Sequence, residues 1–301
     1  MKNNKFIWLL PLYYPYWLLI ALLYLVSKIN RKLQAGLGFL IGYLLYVFSK
    51  KIKRTIKINI ELCMPNLKND EKALLVKNIC IRYGHSLIEI ALAWFATNNQ
   101  INDLFIIEGE EHLEIAKKTA RPIILGTAHF SCLELGLAKA SMLFKSYAGL
   151  YRPSKNDLIE YIMYRARMKR GCFMIPHTNI KDLIKKLKEG FSTVYLPDQP
   201  DLNSGTNLIP FFDNPCITNL ALSKIARISG AIILPMCMRF DKKKNSYVLS
   251  FSPHYEPSND ERLDTKHLIN IFENYIKSCP EQYLWSYKKF KGRPLCFKQY
   301  Y

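Results

Sequence analysis

The sequence lacks the marks of several protein classes. Its eight cysteines are scattered, with no Cys-x-x-Cys pair and no cluster at zinc-ligand spacing. That argues against a disulfide scaffold or a zinc module, and suits free thiols in a reducing compartment. No GxSxG elbow, Walker loop, GxGxxG turn, HExxH helix, internal repeat or low-complexity tract is present. Acidic residues are scarce: 24 Asp and Glu against 43 Lys and Arg, a net charge of +19. Such an excess calls for an anionic partner, which could be nucleic acid, anionic lipid, a phosphorylated substrate or an acidic protein. Disorder is excluded, because half of the 301 residues are hydrophobic, enough for one or two domains with a sizeable core.

Charge is missing altogether from residues 6–27. A run of this length predicts a retained single-pass membrane helix, with Trp8, Tyr13, Tyr14, Tyr16 and Trp17 at the interface. No small-x-small cleavage site follows it, which disfavours a signal peptide. Pro11 and Pro15 shorten its regular part. Residues 33–49 are also uncharged and hold Gly36, Gly38 and Gly42. They read as interfacial, or as packed on the first helix through small residues. Lys28, Arg31 and Lys32, then Lys50, Lys51, Lys53, Arg54 and Lys57, follow these segments. The positive-inside bias puts the rest of the chain in the cytoplasm, with the basic run gripping anionic headgroups. The expected organisation is an anchor and interfacial segment over 1–50 and a cytoplasmic domain over 51–301.

Beyond a helix from 69 to about 94, strand-like and helix-like runs alternate. Strands are predicted at 122–128, 147–151, 172–175, 193–196 and 231–238. Helices are predicted at 133–144, 157–170 and 181–189, at a segment capped by Thr218 and stopped by Gly230, and at 264–278. A polar turn over 241–246 leads into a strand at 247–252. This alternation predicts an α/β fold with a mainly parallel central sheet flanked by helices.

The candidate chemistry sits in Gly126-Thr-Ala-His-Phe-Ser-Cys-Leu-Glu-Leu-Gly136. His129 ends a buried strand, where open α/β sheets bind ligands. Glu134 follows a strand-to-helix corner that can bring it back to the imidazole. A carboxylate on one ring nitrogen leaves the other as a general base. His177 and Asp182 have the same spacing, and chance alone gives about 0.5 such matches from six histidines and 24 acids. Glu134 is set among leucines and needs a partner, whereas Asp182 suits a helix start, which favours the first pair. Cys132 reads as a buried thiol rather than a nucleophile. Tyr151, Arg152, Arg165, Arg167 and Asp198 lie at or near other strand ends, and arginines there suit phosphate or carboxylate.

Taken in order, several blocks resemble the late acyltransferases of lipid A biosynthesis, the lauroyl and myristoyl transferases. They are Asn59-Ile-Glu-Leu-Cys-Met-Pro65, the segment from Ala128 to Gly136, Tyr151-Arg-Pro-Ser-Lys-Asn156, Pro197-Asp-Gln199, Ile209-Pro-Phe-Phe212, and Pro280-Glu-Gln-Tyr-Leu-Trp285 ending at Arg293-Pro294. The resemblance implies a glycerolipid-acyltransferase-like fold with an N-terminal membrane helix, at the bacterial inner membrane. It places the family's His-x4-acid dyad on His129 and Glu134, a functional arginine on Arg167 (Arg165 if the register differs by two), and an aspartate on Asp198; Tyr151 and Arg152 match a Tyr-Arg-Pro segment. It further implies transfer of a fatty acyl chain from acyl carrier protein to a hydroxyl of a 3-hydroxyacyl chain on a Kdo-bearing lipid A precursor, in lipopolysaccharide biosynthesis. Glu within His-Phe-Ser-Cys-Leu-Glu-Leu-Gly is closer to the lauroyl branch. Residues 201–205 depart from the family and could tune acceptor choice. Expected partners are the acyl carrier protein donor, the acceptor lipid and the anionic membrane, with no nucleic acid, metal or cofactor. Rival readings are a myristoyl-type second acylation, acyl-CoA as donor, acylation of a phosphatidylinositol mannoside, and a non-catalytic lipid-binding protein.

Overall fold

The computed structural model describes residues 5–199, 207–294 and 296–301. The departure over 201–205 lies outside the described residues. In chain order the elements are α1 (Tyr14–Lys28), α2 (Arg31–Phe48), α3 (Lys50–Cys63), α4 (Asn69–Phe95), α5 (Asn98–Asp103), β1 (Phe105–Glu108), α6 (Glu110–Lys118) and β2 (Ile123–Gly126). Then come α7 (Leu133–Ser141), β3 (Tyr147–Tyr151), α8 (Asp157–Met168), β4 (Cys172–Pro176), α9 (Ile180–Lys188) and β5 (Ser192–Tyr195). The chain continues with β6 (Leu208–Phe211), β7 (Asn214–Ile217), α10 (Ala221–Ser229), β8 (Ile232–Asp241), β9 (Ser246–Phe251) and α11 (Glu261–Ser278).

Seven strands form one sheet in the order β1-β9-β8-β2-β5-β3-β4. Every neighbouring pair is parallel except the β8–β9 hairpin. The expected α/β class with a mainly parallel sheet is thus observed. β2 and β5 are buried at every position, as strands covered on both faces must be. β6 and β7 make a separate antiparallel pair. The helix expected to start at a Thr218 cap begins instead at Ala221, whose N–H is taken by Asn219 Oδ1 at 2.8 Å.

The single-pass helix is not found. Among the described residues no single helix is long and apolar enough to cross a membrane. Residues 5–13 form two short 3₁₀ turns, and the 15-residue α1 begins only at Tyr14, with Pro15 in its first turn. Proline lacks the N–H that an uninterrupted helix through the run would need. α2 and α3 pass the length and composition test together, but are bent by 88°.

The small residues of α2 serve α4, not α1. Gly42 lies against the backbone of Cys80 and Ile81, and Gly84 against that of Gly38 and Gly42, so the helices approach nearly backbone to backbone. Large side chains on the remaining faces of α1 and α2 stay exposed, among them Leu18, Leu22, Leu25, Phe39, Leu40 and Phe48.

Candidate active site

Three neighbouring parallel strands, β2, β5 and β3, end on the same edge of the sheet. Register pairs Gly126 with Tyr195, so three residues further along each chain His129 meets Asp198. The pair is closed by two hydrogen bonds. His129 donates its backbone N–H to Asp198 Oδ2 (2.9 Å), and its Nδ1 lies 2.7 Å from Asp198 Oδ1. Asp198 is 2% exposed and also accepts the Tyr283 hydroxyl at 3.0 Å. Lys289 Nζ donates to the Asp198 carbonyl. Burial opposes ionisation of Asp198, but the His129 charge and hydrogen bonds, with Lys289, bring its pKa down to about 2. An ionised Asp198 makes Nδ1 the protonated ring nitrogen and leaves Nε2 as the basic one. Nε2 has no hydrogen bond among the described residues.

The carboxylate on the imidazole is therefore Asp198 and not Glu134, which corrects the pairing expected from spacing. Glu134 sits in the first turn of α7 and faces α8 and α4 instead. It accepts Arg167 Nε at 3.0 Å on Oε1 and Arg167 Nη2 at 2.7 Å on Oε2, with Trp94 Nε1 at 3.2 Å. This two-point guanidinium fork fixes both side chains. Burial works against the Arg167 cation, and Glu134 more than restores it, raising its pKa.

Arg165 points elsewhere on α8. It is exposed and donates to the Tyr161 hydroxyl at 2.8 Å, so Arg167 and not Arg165 reaches the site. His177 and Asp182 are both exposed, and the Asp182 carboxylate is taken by Asn179. Cys132 is fully buried and its thiol pKa is raised by that burial, as expected of an inert thiol.

A cavity of about 240 Å³ opens beside His129, with Glu134, Arg167, Tyr151 and Arg152 around it. Its floor is one face of three strands: Tyr147, Gly149 and Tyr151 of β3, Cys172 and Met174 of β4, and Val194 of β5. Leu133, Leu137 and Ala138 of α7 form a wall. The lining is apolar along the strands, with Arg152 after β3 and Arg167 and Arg170 at the end of α8 as its basic groups, which suits a hydrocarbon chain with a polar head. Among the described residues no group of three or more His, Cys, Asp or Glu converges to hold a metal.

The C-terminal segment completes the site. Ser131 donates its N–H to the Gln282 carbonyl (2.7 Å), and the His129 carbonyl accepts the Leu284 N–H (2.9 Å). Asn59 of α3 donates to the carbonyls of Trp285 (2.7 Å) and Tyr287 (2.8 Å). Sequence reasoning assigned no role to Tyr283, Lys289 or Trp94. The one available signal was that Tyr283 falls in the block 280–285 that carries the resemblance.

Comparison with known proteins identifies the family. The model of the bacterial lipid A biosynthesis acyltransferase family matches residues 1–292. The lipid A biosynthesis palmitoleoyltransferase of Escherichia coli is 30% identical over 288 residues, 95% of this chain and 94% of the relative. The lauroyltransferase of the same organism is 30% identical over 287 residues, 94% of each chain. Its myristoyltransferase is 21% identical over 290 residues, 94% of this chain and 88% of the relative. The protein is an acyltransferase. It belongs to the bacterial lipid A biosynthesis acyltransferase family.

Proposed function

We propose that the protein transfers a fatty acyl chain of the lauroyl class from acyl carrier protein to a hydroxyl of a 3-hydroxyacyl chain on a Kdo-bearing lipid A precursor, in lipopolysaccharide biosynthesis. The observation that carries this reading is the His129–Asp198 pair, with His129 lining a largely apolar cavity that Arg152, Arg167 and Arg170 also line. His129 Nε2 takes the proton of the acceptor hydroxyl as its oxygen attacks the thioester carbonyl. The carbon–sulfur bond breaks, and the imidazolium returns the proton to the departing thiolate. Asp198 stabilises the imidazolium without taking its proton, because its own pKa is far lower. Glu134 acts through Arg167, holding the guanidinium where a phosphate or thioester group arrives, and Arg152 and Tyr151 line the same cavity.

The exposed apolar faces of α1 and α2, with the basic residues of α3, support residence at the cytoplasmic face of the inner membrane. Residues 1–50 make the membrane contact in this reading, and 51–301 form the catalytic domain. The test is mass spectrometry of the acceptor after incubation of the full chain with a panel of acyl carrier protein thioesters. One added chain, strongest with the dodecanoyl donor, is the expected product. No mass gain with any donor overturns the reading.

A further inference from the structure

Lys289 lies in the C-terminal segment and is only 3% exposed. A buried ammonium is costly unless an anion or several acceptors receive it. Among the described residues no carboxylate forms an ion pair with Lys289. Its Nζ donates to the Asp198 carbonyl, and the Phe211 ring centroid lies 4.6 Å away. Both partners are neutral, so neither accounts for a cation at this place. Burial opposes ionisation of the Asp198 carboxylate, and Lys289 joins His129 in favouring it. Tyr283, also buried, donates its hydroxyl to Asp198 Oδ2 at 3.0 Å, the oxygen that accepts the His129 N–H. Burial keeps the Tyr283 phenol in its O–H form.

A general base has to rest neutral, because a ring that is already protonated cannot take the proton of the acceptor. A buried carboxylate 2.7 Å from Nδ1, acting alone, favours the charged imidazolium. A buried cation on the same aspartate opposes that pull. We propose that Lys289, seconded by Tyr283, is a positioning residue that offsets the Asp198 charge, so that His129 rests as the neutral imidazole. Lys289 hydrogen-bonds the carbonyl of Asp198 and neither carboxylate oxygen, so Oδ1 stays on Nδ1 to support the imidazolium formed during transfer. This rests on the acyl-transfer reading above and names what tunes its base. The other titratable groups facing the cluster are Tyr287 of the same segment, Glu273 of α11, Cys63 of α3 and Cys216 of β7. Burial keeps Tyr287 and Cys63 in their neutral forms, and Glu273 accepts the Phe212 N–H at 2.8 Å. The Glu134–Arg167 ion pair lines the same cavity as His129.

The test is the pH profile of kcat/KM with the dodecanoyl carrier thioester, on the full chain, Lys289→Met and Tyr283→Phe. Loss of the cation should move the acid limb of Lys289→Met up by about one pH unit. That is a loss of about tenfold on the acid side, recovered as the pH rises. Tyr283→Phe should move the limb in the same direction by less. A loss that is uniform across pH, as a merely structural role would give, overturns the proposal. So does a limb that stays in place or moves down. Should Lys289→Met fail to fold, Tyr283→Phe decides by the same criteria. If no thioester reacts with the parent protein, the acyl-transfer reading fails, and NMR titration of ring-labelled histidine still decides this one. The signal missing from His129→Ala identifies the ring, which should take up its proton at higher pH in both variants. An unmoved midpoint overturns the proposal.

Discussion

His129 keeps one ring orientation because Asp198 grips both its backbone N–H and its Nδ1. Asp198→Asn preserves shape but removes the charge that supports an imidazolium. Its turnover should fall by about 100- to 10,000-fold, similar to His129→Ala, with the fold intact by circular dichroism. The double variant should be little worse than the worse single one, since the two residues act as a unit. His177→Ala should leave acyl transfer within about twofold, because that side chain is solvent-exposed and does not line the cavity. The depressed pKa of Asp198 also sets a pH window. Its folded value of about 2 lies below the unfolded 3.8, so its stabilising contribution is full above about pH 4 and is lost as pH falls toward 2. Acid titration of unfolding should show that loss in the parent protein, and a smaller loss in Asp198→Asn. Glu134→Gln and Arg167→Ala share one ion pair, so their effects on kcat/KM should be markedly non-additive in a double-mutant cycle.

At the scale of elements, α2 and α4 are held together by the absence of side chains. A Cβ on Gly84 would collide with the backbone of Gly38 and Gly42, which cannot rotate away. Gly84→Ala gains about 1 kcal/mol in helix propensity, but overpacking of this kind costs typically about 1–3 kcal/mol. Net destabilisation is expected, read by chemical denaturation. Gly36 has nothing within 4 Å of its added Cβ, so Gly36→Ala should instead be neutral or stabilising. If both variants behave alike, close helix contact is not what joins α2 to α4. The loop that carries His129 is likewise braced from another element: Arg82 of α4, paired with Glu89, donates to Ser131 Oγ at 2.8 Å.

The whole molecule is polarised. Leucines and aromatics face outward on α1 and α2, and next to them Lys50, Lys53, Arg54 and Lys57 of α3 line an open groove. The opposite face of α3 buries Ile56, Asn59, Ile60 and Cys63 in the core, which fixes the basic row outward. Replacing the four basic residues with Gln should weaken binding to anionic vesicles, each charge contributing about 1 kcal/mol near the surface. Co-sedimentation at rising salt is the measurement, and attraction should fade as the Debye length shortens. Equal binding by the variant and the parent protein would show that the apolar faces act alone.

Local pattern and order of types determined much of this protein before any fold was considered. β3 was read with its observed bounds, and α4, α7, α8, α9 and α11 to within a few residues, because their periodicity and stop signals are local. His129, Asp198, Arg167, Tyr151 and Arg152 could be picked out as strand-end residues for the same reason. β1, α6 and the β6–β7 pair were missed, being short and without a clear alternation. Partnership was a matter for the tertiary structure. Which carboxylate meets His129 depends on β2 lying beside β5 in a register that pairs Gly126 with Tyr195, across 69 residues of chain. Spacing along the chain carries no record of that register, because strand pairing is set by the packing of a whole sheet. Glu134, five residues from His129, was turned instead toward Arg167 and Trp94, because α7 leaves the corner with its first turn against α8 and α4. The same holds for the small residues of α2, whose partner helix could be found only once both helices were laid against the domain.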